Sequence, residues 1–131
     1  MVVNRTEDKA RELVDQAKSA GVGLEFGGGL AALSDLSTSD IVVNCSSAGM
    51  VEYGAESPIP TGALHCGLIV LDIVYKPIQT ELVQAATAAG AVAIHGGRML
   101  LHQATRQFEL YTKQQAPIAA MDSALRAFLT A

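Results

Sequence analysis

The run Leu-Ile-Val-Leu-Asp-Ile-Val at residues 68–74 constrains this chain more than any other stretch. It is far shorter than the roughly 20 apolar residues of a membrane helix. Its β-branched residues favour a strand over a helix. Gly67 precedes it and Pro77 follows it. A continuous apolar strand of this kind reads as a buried member of a parallel sheet, covered by helices on both faces. Residues 22–26, 41–45 and 91–94 read as shorter strands, and residues 1–3 as the stub of another.

Helical patterns separate these runs. Thr6 is placed to cap the first helix, with Glu7 and Asp8 at its positive end. Leu13, Val14 and Ala17 give it an apolar face, and Gly21 stops it. Gly27-Gly28-Gly29 lacks the spacing of a phosphate loop and reads as a flexible turn into a short helix over 30–36. Residues 51–67 read as a loop. Thr80 caps a helix over 80–89 that Gly90 closes, and His95-Gly96-Gly97 turns into a long helix over 98–111. Pro117 starts a terminal amphipathic helix running to about 129. Strand alternating with helix implies an α/β fold with a doubly wound parallel sheet, and 131 residues suit one domain.

Composition narrows the function classes. Half the residues are apolar, so a core can form, and the net charge of −4 argues against a nucleic-acid surface. Three of the nine basic residues, Arg5, Lys9 and Arg11, fall in the first eleven positions. Cys45 and Cys66 have no CxxC spacing and read as reduced thiols packed in apolar strand surroundings. His65, His95 and His102 have no clustered partners, so no metal site is expected. No secretory leader or membrane span is visible, and a cytoplasmic protein is expected.

Sheets of this class bind ligands at the carboxyl ends of their strands. The distinctive polar residues sit there: Asn4-Arg5-Thr6, Ser46-Ser47, Tyr75 and Gly96-Gly97. An Arg at the end of such a strand accommodates the 2′-phosphate of NADP, where an acidic residue would take the ribose hydroxyl of NAD. Arg5 offers a planar fork and Lys9 a point charge one turn on. Alone, the segment reads more readily as a solvated turn of surface charges. In Asn44-Cys45-Ser46-Ser47-Ala48-Gly49-Met50 small residues at a strand end would let a flat ligand approach the backbone and hydroxyls could bond ribose or phosphate, or the stretch forms a plain strand-to-loop turn. No GxSxG elbow supports a catalytic serine. Asp72, inside an apolar strand, needs partners and is expected to cap a backbone turn or meet a cation. Tyr75 meets substrate or water, and Gln103 reads a hydroxyl or lies on the surface.

Taken in order, NRTEDKA, IVVNCSSAGM, LDIVYKPIQTELVQAATAAGA and HGGRMLLHQATRQFELYT resemble the carboxyl-terminal part of shikimate dehydrogenase. The resemblance covers nearly the whole chain. It implies that Asn4, Arg5, Thr6 and Lys9 clamp the adenosine ribose and its 2′-phosphate, favouring NADP. Lys9 stands where many members carry Arg. Ser46 and Ser47 are similar to the hydroxyl pair beside the cofactor, and Ile73 to the residue whose backbone lies near the nicotinamide. Gly96, with Met99 nearby, resembles the turn packed against that ring. Tyr75 and Gln103 resemble contacts to shikimate or 3-dehydroshikimate.

The resemblance further implies a partial Rossmann-like sheet lacking its first strand and phosphate loop. Residues 1–131 are then an incomplete NADP-binding domain, with helices over about 98–129 packing toward a substrate domain. The family's catalytic Lys and Asp match no position here, so no catalytic residue is assigned and the isolated chain is expected to be inactive. In the strand order 3-2-1-4-5-6 the first strand is central. Its absence is expected to leave two sheet pieces with apolar edges, which self-associate, close on each other or pair with an amino-terminal half. The alternatives are a non-catalytic ligand-binding or regulatory relative, or a truncated product without its own function. Quinate in place of shikimate, and NAD in place of NADP, stay open.

Overall fold

The structure, a computed structural model, describes residues 1–54 and 56–129. The elements run β1 (Val2–Val3), α1 (Glu7–Ser19), β2 (Phe26–Gly28), β3 (Ile41–Asn44), β4 (Ile69–Asp72), α2 (Glu81–Ala88), β5 (Val92–His95), α3 (Gly96–Thr112) and α4 (Ile118–Leu129). Short 3-10 turns at Leu30–Ser34, Val51–Tyr53 and Thr61–Ala63 punctuate the connections. The loop expected over 51–67 includes residue 55, which lies outside the described residues.

All strand pairing is parallel, and it falls into two separate sheets, β1–β2 and β3–β4–β5. Among the described residues no strand joins them. The split sheet agrees with the partial, doubly wound arrangement implied by the sequence.

The three-stranded sheet has a covered face and a bare one. Rungs Ile41–Ile69–Val92 and Val43–Leu71–Ile94 are each in register across the strands and share one face. That face is open: Ile41 is 62% exposed, Val92 58% and Val43 46%. The opposite face carries Val42, Val70 and Ala93, packed with Leu36, Ile59, Leu64, Leu68, Leu82 and Ala86 into the core. The expectation that residues 68–74 are buried on both faces is therefore corrected. Leu68, Val70, Asp72 and Val74 are buried, whereas Ile69 is exposed, because α2 and the 3-10 turns cover only one side.

Several local expectations also change. The second strand is Phe26–Gly28, not 22–26, so Gly27 and Gly28 lie in the strand rather than in a turn. A Cβ at Gly27 would sit 2.5 Å from the Met1 side chain and 2.8 Å from that of Val3. Glycine is what lets β2 lie so close under β1. Gly28 takes φ +90 where the register with β1 shifts. The helix expected over 30–36 is the 3-10 turn Leu30–Ser34. Thr6 occupies the N-cap of α1, yet its side chain makes no capping bond. The Asn4 carboxamide instead accepts from the Thr6 N–H at 2.9 Å. α3 begins at Gly96, two residues earlier than expected. Thr80 caps α2 as expected, its hydroxyl accepting from the Val83 N–H at 3.2 Å. Cys45 and Cys66 are free and exposed rather than packed in the core. Cys45 lies one residue beyond the last rung of β3, and strand alternation turns it away from the face that buries Asn44.

Candidate functional site

The last rung of the larger sheet joins Asn44, Asp72 and His95, the carboxyl-terminal residues of β3, β4 and β5. The residues just beyond this rung are candidate site residues: Ser46 and Ser47, Ile73 and Tyr75, Gly96 and Met99. Parallel strands thus bring three separated sequence segments to one sheet end.

Buried polar side chains organise that end. Asp72 has no exposed surface and Asn44 is 5% exposed. The Asn44 amide donates to Asp72 Oδ1 at 2.9 Å and to the Ala48 carbonyl at 3.1 Å. Its Oδ1 accepts from the Ser46 N–H at 3.0 Å and from the Ser46 hydroxyl at 2.7 Å. Asp72 Oδ1 also accepts from the Val74 N–H at 3.1 Å, and Oδ2 accepts from the Thr80 hydroxyl at 2.6 Å. The expectation for Asp72 is thereby resolved: it caps a backbone turn and meets an amide and a hydroxyl, not a cation. Sequence reasoning placed Asn44 in its motif but missed the role of its side chain. Its signal was a polar residue ending an apolar strand, as Asp72 also does.

Gly96 sits against the end of β4. A Cβ there would collide with the Ile73 carbonyl and lie 2.5 Å from the Val74 carbonyl oxygen. The Gly96 N–H donates to that oxygen at 3.2 Å. Glycine is required here by the protein's own backbone. Further along α3, Met99 and Gln103 are exposed, as is Tyr75 at the end of β4.

The second group lies on the smaller sheet. Asn4 follows β1, its N–H donating to the Gly28 carbonyl at 3.3 Å. Arg5, Thr6 and Lys9 are exposed around the start of α1. Among the described residues Arg5 and Lys9 enter no ion pair, whereas Arg11 pairs with Glu7 at 3.4 Å and stacks 3.9 Å over Phe26. The sheet end thus presents two exposed cations beside the positive end of a helix, an arrangement that suits a phosphate, although the same first turn carries Glu7 and Asp8. Ser46, by contrast, spends its hydroxyl on Asn44 and on the Ala48 N–H.

Two clefts, of about 330 and 290 Å³, contain none of these candidate residues. The second lies between α3 and α4 and includes His95, Arg98, Asp122 and Arg126. Asp122 accepts from Arg98 at 3.2 Å and from Arg126 at 3.0 Å, tying the two helices together. The Arg126 hydrogen bond leads the causes that hold the Asp122 carboxyl below its ordinary range. Among the described residues, buried His95 Nδ1 has no hydrogen-bond partner. Burial first, then Arg98 and Arg126, depress the imidazole's pKa. Among the described residues no three His, Cys, Asp or Glu side chains gather into a metal site, and no helix is long and apolar enough to cross a membrane.

The chain is similar to known proteins over nearly its whole length. Residues 96–126 match the family described as Shikimate 5'-dehydrogenase C-terminal domain. The shikimate dehydrogenase (NADP(+)) of Haloarcula marismortui is 46% identical over 129 residues, covering 98% of this chain and 46% of that protein. A crystal structure of shikimate dehydrogenase in complex with NADP+ superimposes with a TM-score of 0.86 at 29% identity, over 98% of this chain and 46% of the other. Quinate dehydrogenase from Corynebacterium glutamicum in complex with NAD gives 0.82 at 29% identity, over 96% and 45%. The chain spans just under half the length of these relatives.

Proposed function

We propose that this chain, which corresponds in sequence and fold to the carboxyl-terminal portion of shikimate dehydrogenase, forms the NADP-binding side of an enzyme interconverting 3-dehydroshikimate and shikimate. The observation that carries the reading is the tip of β1, where Arg5 and Lys9 are exposed at the start of α1 and, among the described residues, enter no ion pair. Arg5 would fork the 2′-phosphate, with Lys9 adding a point charge and Asn4 and Thr6 holding the ribose. Bound NADPH supplies the hydride. Ser46 and Ser47 would flank the cofactor. The Ile73 backbone, Gly96 and Met99 would border its nicotinamide end. Tyr75 and Gln103 would reach the hydroxyls or carboxylate of the substrate.

The chain alone would bind without turnover, because proton transfer needs groups that match no position in it. Residues 98–129 would face a substrate-binding half. Geometry supports such a partner. A parallel strand seated between β1 and β3 would join the two sheets. Its right-handed crossover to β1 would carry a helix over the face opposite α2, which is the bare apolar face. A separate amino-terminal half added to the chain should therefore restore activity.

Calorimetric titration of the chain with NADP, and with NAD for comparison, tests the reading. NADP is expected to bind more tightly. Arg5→Ala should weaken NADP by roughly tenfold or more, the cost of a charge-assisted hydrogen bond, and leave NAD nearly unchanged. Equal binding of both cofactors, or an Arg5→Ala variant indistinguishable from wild type, would refute it.

A further inference from the structure

We infer that Asp72 is a positioning residue: through Asn44 and through Val74 it holds the Ser46 loop and the turn after β4 in one fixed relation. The inference rests on the functional reading above, since these two segments would flank the nicotinamide end of the cofactor.

The atoms carry the argument. Asp72 Oδ1 takes one hydrogen bond from each side, from Asn44 Nδ2 at 2.9 Å and from the Val74 N–H at 3.1 Å. Asn44 relays the constraint, gripping Ser46 with its Oδ1 and Ala48 with its amide. Oδ2 is anchored by Thr80, whose hydroxyl in turn fixes the first turn of α2. Gly49 folds back over the cluster, so that a Cβ there would lie 3.5 Å from Thr80 and 3.8 Å from Asp72 Oδ2. If only stability were at stake, packed apolar residues would serve the rung as well, because a buried polar network must first offset its own desolvation. What apolar residues would not supply is direction. The carboxylate sets the Ser46 loop and the Ile73–Val74 backbone to the same reference point. Gly96, bonded to the Val74 carbonyl at 3.2 Å, is drawn into that frame.

The Asp72→Ala substitution removes both acceptor oxygens, leaving Asn44, Val74 and Thr80 without that partner. Asn44→Ala is the milder second variant: it cuts the relay to Ser46 and leaves the bond from Val74 to Asp72 in place. The full chain, as wild type and each single variant, is titrated with NADP and with adenosine 2′,5′-bisphosphate, which carries the 2′-phosphate end alone. Amide hydrogen exchange at Ser46, Ala48 and Val74 is followed in parallel.

In Asp72→Ala, NADP binding should fall roughly tenfold, as for a lost buried hydrogen bond. The bisphosphate, held on the other sheet, should change less than about twofold. Exchange at Ser46 and Val74 should accelerate together in Asp72→Ala, whereas in Asn44→Ala exchange at Ser46 should accelerate alone. Equal losses for both ligands would mean general loosening and overturn the proposal. So would independent responses of Ser46 and Val74 in Asp72→Ala, or equal acceleration of both in Asn44→Ala. If the wild type binds neither ligand, the functional reading fails and the positioning role falls with it. If the wild type binds both and Asp72→Ala leaves NADP unchanged, only the role of Asp72 is lost.

Discussion

Replacing Gly96 with alanine places a methyl group where the backbone of β4 already is. Its nearest neighbours would be the carbonyl group of Ile73 and the carbonyl oxygen of Val74, the latter at 2.5 Å. A carbon and a carbonyl oxygen normally meet nearer 3.3–3.6 Å, so something must give by about an ångström. None of these atoms can rotate away. Ile73 is tied to β3 through the Asn44 carbonyl at 3.1 Å, and Val74 to Asp72 and Gly96. Overpacking of this kind costs about 1–3 kcal/mol, and the displaced Gly96–Val74 hydrogen bond about 1 more. Against that, alanine favours the helix by about 1 kcal/mol over glycine. The balance is a loss of roughly 1–3 kcal/mol, or a melting temperature lower by roughly 3–15 °C for a domain of this size. Two neighbours calibrate the result. At Gly97 the obstacles are movable side chains, the His95 ring at 3.0 Å and Leu129 at 3.1 Å, so Gly97→Ala should cost about 1 kcal/mol or less. At Gly23 nothing lies within 4 Å, so alanine should be neutral or stabilise by up to about 1 kcal/mol. Thermal and urea unfolding followed by circular dichroism give the three values. If Gly96→Ala melts within a degree or two of Gly23→Ala, the close approach of α3 to β4 is wrong.

Three further outcomes are expected. Thr80→Ala removes both the cap of α2 and a bond to buried Asp72, and should cost about 2–4 kcal/mol in urea unfolding, while Thr80→Ser should recover most of it. His95 faces Arg98 from α3 and Arg126 and Asp122 from α4, and its pKa lies below the ordinary 6.5. The unfolded chain therefore takes up this proton first, so stability should fall as pH drops below about 6.5 and level off once the native imidazole is also protonated. His95→Gln should flatten that part of the profile in urea midpoints measured between pH 7 and 5. Val43→Lys, on the bare sheet face, should change the chain's own stability by less than about 0.5 kcal/mol. It should nonetheless abolish recovery of shikimate oxidation when a relative's amino-terminal half is added.

The elements most legible in the sequence were those whose own residues decide them. β4, α2 with its Thr80 cap, and the closing Gly90 follow from apolar runs and local capping, which need no distant partner. The clustering of candidate residues at strand ends was equally readable, because a parallel sheet puts every carboxyl end on one side. The misjudged segments were decided across the chain. Gly27 reads as a turn until the side chains of Met1 and Val3 are laid against it. Cys45 reads as core until burial of Asn44 sets which way the alternation runs. The two-sided burial expected for β4 failed because nothing in the run itself states whether a second layer of helices is present. The role of the Asn44 side chain escaped notice because its meaning lies in Asp72, 28 residues away, and only the register brings them together.

The split sheet also bears on how the molecule comes apart. β1, α1 and β2 form a small unit with its own buried seam at Ala10 and Val14, joined onward by the 3-10 turn Leu30–Ser34. Among the described residues no backbone ladder links that unit to β3, so the larger core need not break for it to open. Opening of the first 28 residues is then a local event, with a free energy set by a two-stranded ribbon and one helix. The proposed phosphate clamp rides on the less secure of the two units. A bound dinucleotide reaching from Arg5 to Gly96 would span both and make them open as one.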